Sequence, residues 1–192
     1  MHAALVSRDT GLGLLTHAEV RQQLRVDVSD EDAGQLFYLQ AAVEIAEGYL
    51  GRGLLTQTWR VVDDDFDDEV YLPMAAPLQS VTSVQYYNTS GTLTTLSSST
   101  YVVETTSEPA RLTLAPNHSW PAVQAGRVGA VVITYVVGWD DPDDVPAAIK
   151  QGVRLAMTSM YESRDGAEAA KTMEAAKACW ALAGRVSHWG GS

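Results

Sequence analysis

The sequence changes character twice, and those two changes bound what it can fold into. Up to Leu50 the apolar residues recur at helical spacings. After the stretch Tyr49–Trp59 (YLGRGLLTQTW) come about eighty residues rich in Val, Thr and Tyr, and near Val145 the helical pattern returns. Gly51 and Gly53 are both able to take the left-handed backbone angles that end a helix. Gln57 to Val62 then supplies the β-branched and aromatic residues that favour a strand. The expected fold class is therefore α+β: a helical body of about four helices, with an antiparallel β module inserted between the second and third. The expected divisions are an N-terminal arm at 1–15, a helical body at 16–56 and 145–165, a β-rich insertion at 57–144, and a C-terminal helix and tail at 166–192.

Within the helical body, Thr16 and Glu19 have the spacing of a capping box, which satisfies two orphan amide donors at a helix start. Val20 and Leu24 fall on one face of the short helix that follows, ending near Val26. Ser29 or Asp30 is expected to cap the second helix, which runs to Leu50. Its apolar face is read from Leu36, Leu39, Val43, Ala46 and Leu50, widened by Tyr38, Ala42, Ile45 and Tyr49. Past the module, Pro146 opens a third helix with Ile149, Val153, Ala156, Met157 and Met160 on one side. Ala167 to Leu182 is rich in strong helix formers and reads as a fourth, with Met173, Ala176 and Trp180 on one side. The tail from Gly184 is expected to be flexible.

The middle section reads as short strands broken by turns: Trp59–Val62, Val70–Leu72, Leu78–Tyr87, Thr92–Leu96, Tyr101–Glu104, Arg111–Leu114 and Val128–Val137. Asn88–Gly91 has hairpin-turn chemistry. Val128–Val137 is apolar on both faces, as a central strand would be. Residues 1–15 show no periodicity.

The chain carries a net charge of −11 and a single cysteine, Cys179. One cysteine excludes an intrachain disulfide and a cysteine-based zinc site within the chain, and a reducing cytoplasm is the natural setting. Apolar runs are too short to span a bilayer. Charge is uneven: residues 1–145 hold 7 basic and 20 acidic groups, whereas 146–192 hold 6 and 4. The acidic balance excludes general DNA binding, which draws on Lys and Arg. It is compatible with a wall past which DNA slides. The different charge of the C-terminal segment points to a protein partner there.

No motif in the chain carries catalytic chemistry. The acids at 63–69 lack the order of a calcium loop and read as a solvated loop, as do Asp140, Asp141, Asp143 and Asp144. His2, His17, His118 and His188 are scattered, none with a second His or Cys at ligand spacing. A hydrolase built on His118 would need partners that the sequence does not display. Gly51-Arg52-Gly53 follows a helix instead of preceding one, the wrong order for a phosphate loop. No cofactor or metal is expected. Trp180 and Trp189 admit two readings: packing into the domain's own core, or docking into a partner, where Trp is a favoured anchor.

Several segments together resemble the head–tail connector, or adaptor, proteins of tailed bacteriophages. They are Leu15–Asp27, the Asp30–Leu50 helix, Tyr49–Trp59, Pro77–Tyr86, Ser119–Pro121, Val132–Gly138 and Val145–Gly152, spanning roughly residues 15–165. Prophages and phage-derived gene transfer agents encode similar proteins. The resemblance implies a non-enzymatic structural protein of the virion, assembled in the host cytoplasm. It would form a twelve-fold ring beneath the portal protein, extend the DNA channel, and offer a platform to stopper or tail completion proteins. DNA would pass without sequence-specific binding, and no membrane is involved. Relatives reach into the portal with the C-terminal segment, which makes Trp180, Arg185, His188 and Trp189 candidate portal contacts. Removal of 166–192 is then expected to abolish attachment while leaving the fold intact. Arg52, between two structural glycines, is the candidate contact to a neighbouring subunit. A different reading makes the chain a binding module whose β insertion recognises a host or carbohydrate ligand.

Overall fold

A computed structural model of the chain describes residues 1–9, 13–26, 32–162 and 166–187, with the side chains at 32–33, 166–169 and 184–187 outside the description. The chain divides into two compact units, one of 1–8 with 56–140 and one of 9–55 with 141–192. The first is β, the second helical, and the β segment between α2 (Asp32–Leu50) and α3 (Ala147–Tyr161) makes the fold α+β as expected.

In the helical unit, α1 (His17–Leu24) starts on a complete capping box. The Glu19 amide donates to Thr16 Oγ1 at 3.2 Å, and the Thr16 amide donates back to the Glu19 carboxylate at 2.8 Å. These bonds, foremost that from the Thr16 backbone, hold the Glu19 carboxyl below the usual range. Ser29 and Asp30, expected to cap α2, lie outside the described residues. α2 buries Leu39, Ala42, Val43 and Ala46. Ile45 and Tyr49, expected to widen that buried face, are exposed instead. Apolar residues stand on both sides of the helix, and so do polar ones, Gln35 and Glu47 being buried and Glu44 exposed, so periodicity alone could not tell its inner face from its outer one.

The end of α2 is organised by Glu47. Its carbonyl accepts from the Gly51 amide at 2.9 Å and the Arg52 amide at 3.3 Å. Its buried carboxylate accepts from the Leu54 amide at 2.9 Å, so one residue satisfies three donors as the chain leaves the helix. Gly51, at φ +65, takes the left-handed angle; Gly53 is not among the described glycines that do.

α3 buries Ile149, Val153, Ala156 and Met157, and packs most extensively against α4 (Gly166–Ser187). The helical backbone continues through Gly184, where the sequence suggested a flexible tail.

The β unit holds two antiparallel sheets. The larger has the order β1-β2-β8-β4-β5, from β1 (His2–Arg8), β2 (Gln57–Asp63), β8 (Val131–Val137), β4 (Leu78–Tyr87) and β5 (Leu93–Thr95). The smaller is β3-β7-β6, from β3 (Glu69–Tyr71), β7 (Arg111–Leu114) and β6 (Tyr101–Glu104). Both contribute to one core: Val61, Val84 and Ile133 from the larger meet Val70 and Leu112 from the smaller. Tyr135 is fully buried there, its hydroxyl donating to the Pro73 carbonyl at 2.7 Å, and burial pushes its phenol up. β8 is central, as its two apolar faces predict, but it begins at Val131, since Val128 is 86% exposed. The Asn88–Gly91 turn forms as expected, with Gly91 at φ +79 and its amide donating to the Asn88 carbonyl at 2.8 Å.

Residues 2–8 correct the expectation of an arm over 1–15. They form edge strand β1, paired with β2 from His2↔Val62 to Arg8↔Gln57. Most of β1 is exposed on both faces, so the alternation that betrays a half-buried strand is missing from its sequence.

Charged residues at the rim of the smaller sheet are tied together. Arg111 sits 2.9 Å from Glu69 and 3.4 Å from Glu104. The Glu104 carboxylate also accepts from the Thr106 hydroxyl and from the Thr106 and Ser107 amides. Those bonds, the Thr106 hydroxyl first, hold the Glu104 carboxyl at about 2. Its folded value is depressed, so its contribution to stability is complete above its ordinary value near 4.5 and lost as pH falls towards 2. Melting curves across that window should show a fall in stability that Glu104→Gln flattens. A carboxyl that titrates by NMR at its ordinary value would contradict the assignment.

Candidate assembly surfaces

The four residues expected to contact a portal fare differently. Trp180 is fully buried inside the helical unit, its indole N–H donating to the Ile149 carbonyl at 3.3 Å. Its ring lies 5.6 Å from that of Tyr49 and directly over Gly152 of α3. A Cβ at Gly152 would stand 2.5 Å from Trp180 Cδ1 and overlap Nε1 outright. Of the two readings for Trp180, the structure has the core one, and the residue has no exposed surface to offer a partner. The same packing corrects the expectation that residues 166–192 can be removed without harm, because Ala176 and Trp180 are core residues. Arg185 lies in the last turn of α4, and His188 and Trp189 fall outside the described residues. Arg52 is half-buried at the exit of α2.

Acidic side chains expected to be solvated loops hold backbone turns. Asp64 Oδ1 accepts from the Gly129 amide at 2.7 Å, Asp65 Oδ1 from Phe66 at 2.8 Å, and Asp141 Oδ1 from Asp143 at 2.8 Å. Gly129 is required by geometry, with φ +70 and only 2.9 Å between a hypothetical Cβ and Val62 Cγ1. Among the described residues no group of three or more His, Cys, Asp or Glu is arranged to hold a metal ion. His118 is exposed in a turn, its Nδ1 3.0 Å from the Pro116 carbonyl oxygen. That contact orients the ring but supplies no nucleophile or acid.

A polar cleft of about 420 Å³ opens between α1 and α3, lined by Glu19, Gln22, Gln23, Arg25, Gln151 and Arg154. Arg154 bonds Glu19 at 2.6 Å and Gln23 bonds Thr158 at 2.9 Å across it. These contacts brace α1 on α3. The walls are polar, with Glu19 and Arg154 paired to each other, unlike the apolar lining with convergent polar groups of a ligand pocket.

The β unit carries aromatic packing at its surface. Phe66 stacks on Trp120 with centroids 4.7 Å apart and planes 3° from parallel, and Tyr86 meets Phe66 at 6.0 Å. Arg127 covers the Tyr87 ring at 3.4 Å. These groups pack on one another.

Sequence reasoning missed the outward side of α2. Phe37 is 67% exposed there, with Ile45 on the same side and Gly34, Ala41 and Gly48 between them. The signal was present in the sequence as apolar residues on both sides of the helix, with Gln40 and Glu44, hydrogen-bonded to each other, the polar pair outside the core face.

The fold has known counterparts. The chain superposes on a chain in the neck of an empty gene transfer agent particle computed with C6 symmetry. The TM-score is 0.72 and the identity 26%, over 86% of each chain. A chain of the native gene transfer agent virion gives 0.71 at 26%, again over 86% of each. A chain in the neck of the native particle computed with C12 symmetry gives 0.71 at 25%, over 86% of this chain and 85% of that one. No protein-family model matches the chain, and no curated protein is significantly similar to it in sequence. The class that the fold defines is that of neck components of phage-like particles. Within that class the chain is similar to those of gene transfer agents, consistent with the resemblance to head–tail connectors carried by its sequence segments.

The place of Trp180 in the core is open to a direct check. Gly152→Ala forces the indole off α3 and should cost about 2–3 kcal/mol in urea or thermal unfolding, in the range of overpacked cores. A variant as stable as the parent would mean that Trp180 does not lie on Gly152.

Proposed function

We propose that the chain is a structural neck component of a phage-derived particle such as a gene transfer agent, and works as its head–tail adaptor. The observation that carries this is the shared fold over 86% of the chain with chains of particle necks at 25–26% identity. In this reading the copies, twelve in number, close into a ring below the portal protein. The ring prolongs the DNA channel and seats the stopper or tail completion protein. Function then resides in shape and in contacts between proteins, with no reaction catalysed and no cofactor held. The net charge of −11 supports it, because an acidic wall lets a polyanion move without being held. Assembly would take place in the host cytoplasm and the finished protein would reside in the virion.

The C-terminal end is the proposed portal anchor, now narrowed to Arg185, His188 and Trp189, since Trp180 is committed to the core. Arg52, at the exit of α2, is proposed to touch a neighbouring copy. Electron microscopy of intact particles should place this chain between portal and tail; its absence from the neck would overturn the proposal. The anchor is tested by Trp189→Ala or by deleting 188–192. Either change should leave the melting temperature of the purified chain unchanged and cut the yield of tailed particles by about tenfold or more, as loss of a Trp hot spot does. Normal tailing by both variants would remove the C-terminal end from the interface.

A further inference from the structure

We propose that the cleft between α1 and α3 seats an acidic loop of the neighbouring copy, with Arg21 and Arg25 of one chain taking the carboxylates of Asp67 and Asp68 of the next. The proposal rests on the ring reading above and names two surfaces that would close it.

The cleft is basic in a chain that is otherwise acidic. A second hollow, of about 560 Å³, runs along α1 past Arg21 and shares Gln22 and Arg25 with the cleft, so the two adjoin. Three guanidiniums line them, those of Arg21, Arg25 and Arg154, against the single carboxylate of Glu19. Glu19 and Arg154 neutralise each other at 2.6 Å. That leaves the side chains of Arg21 and Arg25 with no ion pair or hydrogen bond among the described residues. Four positions apart, they stand about 6 Å from one another along the helix, and like charges at that spacing weaken it. Arg25 carries a further cost. It ends α1 at φ 56 and ψ 41, the left-handed conformation that glycine adopts without strain, while its amide closes the helix on the Arg21 carbonyl. A cation suits a helix C-terminus, but Arg21 already supplies one in the last turn. What an arginine adds at position 25 is therefore its side chain, not the turn.

The occupant stands on the β unit. The chain carries six carboxylates between Asp63 and Glu69, the stretch that joins β2 to β3. Asp64 and Asp65 accept from backbone amides, Glu69 pairs with Arg111, and Phe66 stacks on Trp120. These contacts fix the loop on both sides and leave Asp67 and Asp68 exposed, adjacent, and without a partner among the described residues. Two guanidiniums that lack carboxylates thus match two carboxylates that lack cations. Each pair can form the bidentate bonds that make arginine a preferred receptor for a carboxylate. Gln22 and Gln151, whose amides also have no partner among the described residues, stand in the cleft to bond the loop's backbone. Cleft and loop belong to different units, one helical and one β, so the patches are unlike, as a closed ring requires. Because the loop is already held, little ordering opposes its docking. Duplex DNA suits the cleft less well. A phosphate backbone is held by many cations at once, and here two stand in a chain of net charge −11.

Charge reversal in particles tests the contact. Arg21→Glu with Arg25→Glu, or Asp67→Lys with Asp68→Lys, should each cut the copy number of the chain per particle about tenfold or more, since like charges then meet at every interface. All four changes in one chain restore opposite charges and should return the copy number to within about twofold of the parent. Entry of either double variant at the parent level, or a quadruple variant no better than the doubles, overturns the proposal. Arg25→Gly separates docking from the helix end. It should melt at or above the parent temperature and still enter particles poorly; a lower melting temperature would assign Arg25 to the helix end and overturn the contact. A second measurement uses purified full-length chain with Cys179→Ser, in which Gln22→Cys and Asp67→Cys are mixed and oxidised at low salt. Their mixed disulfide should exceed either self-pair, and the pairing of Gln22→Cys with a Ser98→Cys control, about tenfold, and should lose that excess near about 1 M salt. No excess over the control overturns the proposal. So does a short DNA duplex that the parent binds and Arg21→Glu with Arg25→Glu does not, which would give the cleft to nucleic acid. Necks that lack the parent chain would refute the ring reading, while the disulfide still reports on cleft and loop alone.

Discussion

The contact between Trp180 and Gly152 fixes the helical unit. An indole is the largest side chain a core can take, and here it reaches the backbone of α3 because the residue beneath it has no side chain. Its N–H would be a buried orphan without the Ile149 carbonyl. With that bond made and Tyr49 against its other side, Trp180 joins α2, α3 and α4 in one place. The direction in which α4 leaves the unit, and so the position from which its end can act, follows from that contact.

Much of this architecture was legible in the residues, for identifiable reasons. The capping box at Thr16, the turn at Asn88–Gly91 and the two-faced strand β8 are local features, each decided within a few residues. Where legibility failed, the deciding partner was distant in sequence. β1 exists because β2 offers it a ladder about fifty to sixty residues on, and its exposed side chains leave no alternation to read. Trp180 could not be assigned to core or interface until Gly152 was known to lie beneath it. The outward face of α2 was hidden by its own hydrophobicity, because an apolar residue reads as buried whichever way it points. Arg185, His188 and Trp189 rest on the resemblance and on the charge and tryptophan content of the C-terminal segment.

The acidic residues show how a strong net charge can serve local structure. Asp64, Asp65, Asp141, Glu47 and Glu104 each accept from backbone amides that turns would otherwise leave unpaired. Capping of this kind stabilises loops and needs no metal. It also leaves the surface negative, which is the condition a DNA conduit would require.

The two ends of the β insertion are held side by side. Gln57 pairs with Val137 in the ladder of β2 and β8, and the Gln79 side chain donates to Thr56 Oγ1 and to the Gly138 carbonyl, each at 2.9 Å. The entropy of closing that long excursion is therefore met within the sheet, by bonds the module makes with itself. Once the sheet has formed, α2 and α3 are joined as if by a tether of a few residues, whatever length of chain is threaded between. Loops remote from Gln57 and Val137 can lengthen or shorten without altering that tether, so the module can vary while the helices keep their spacing.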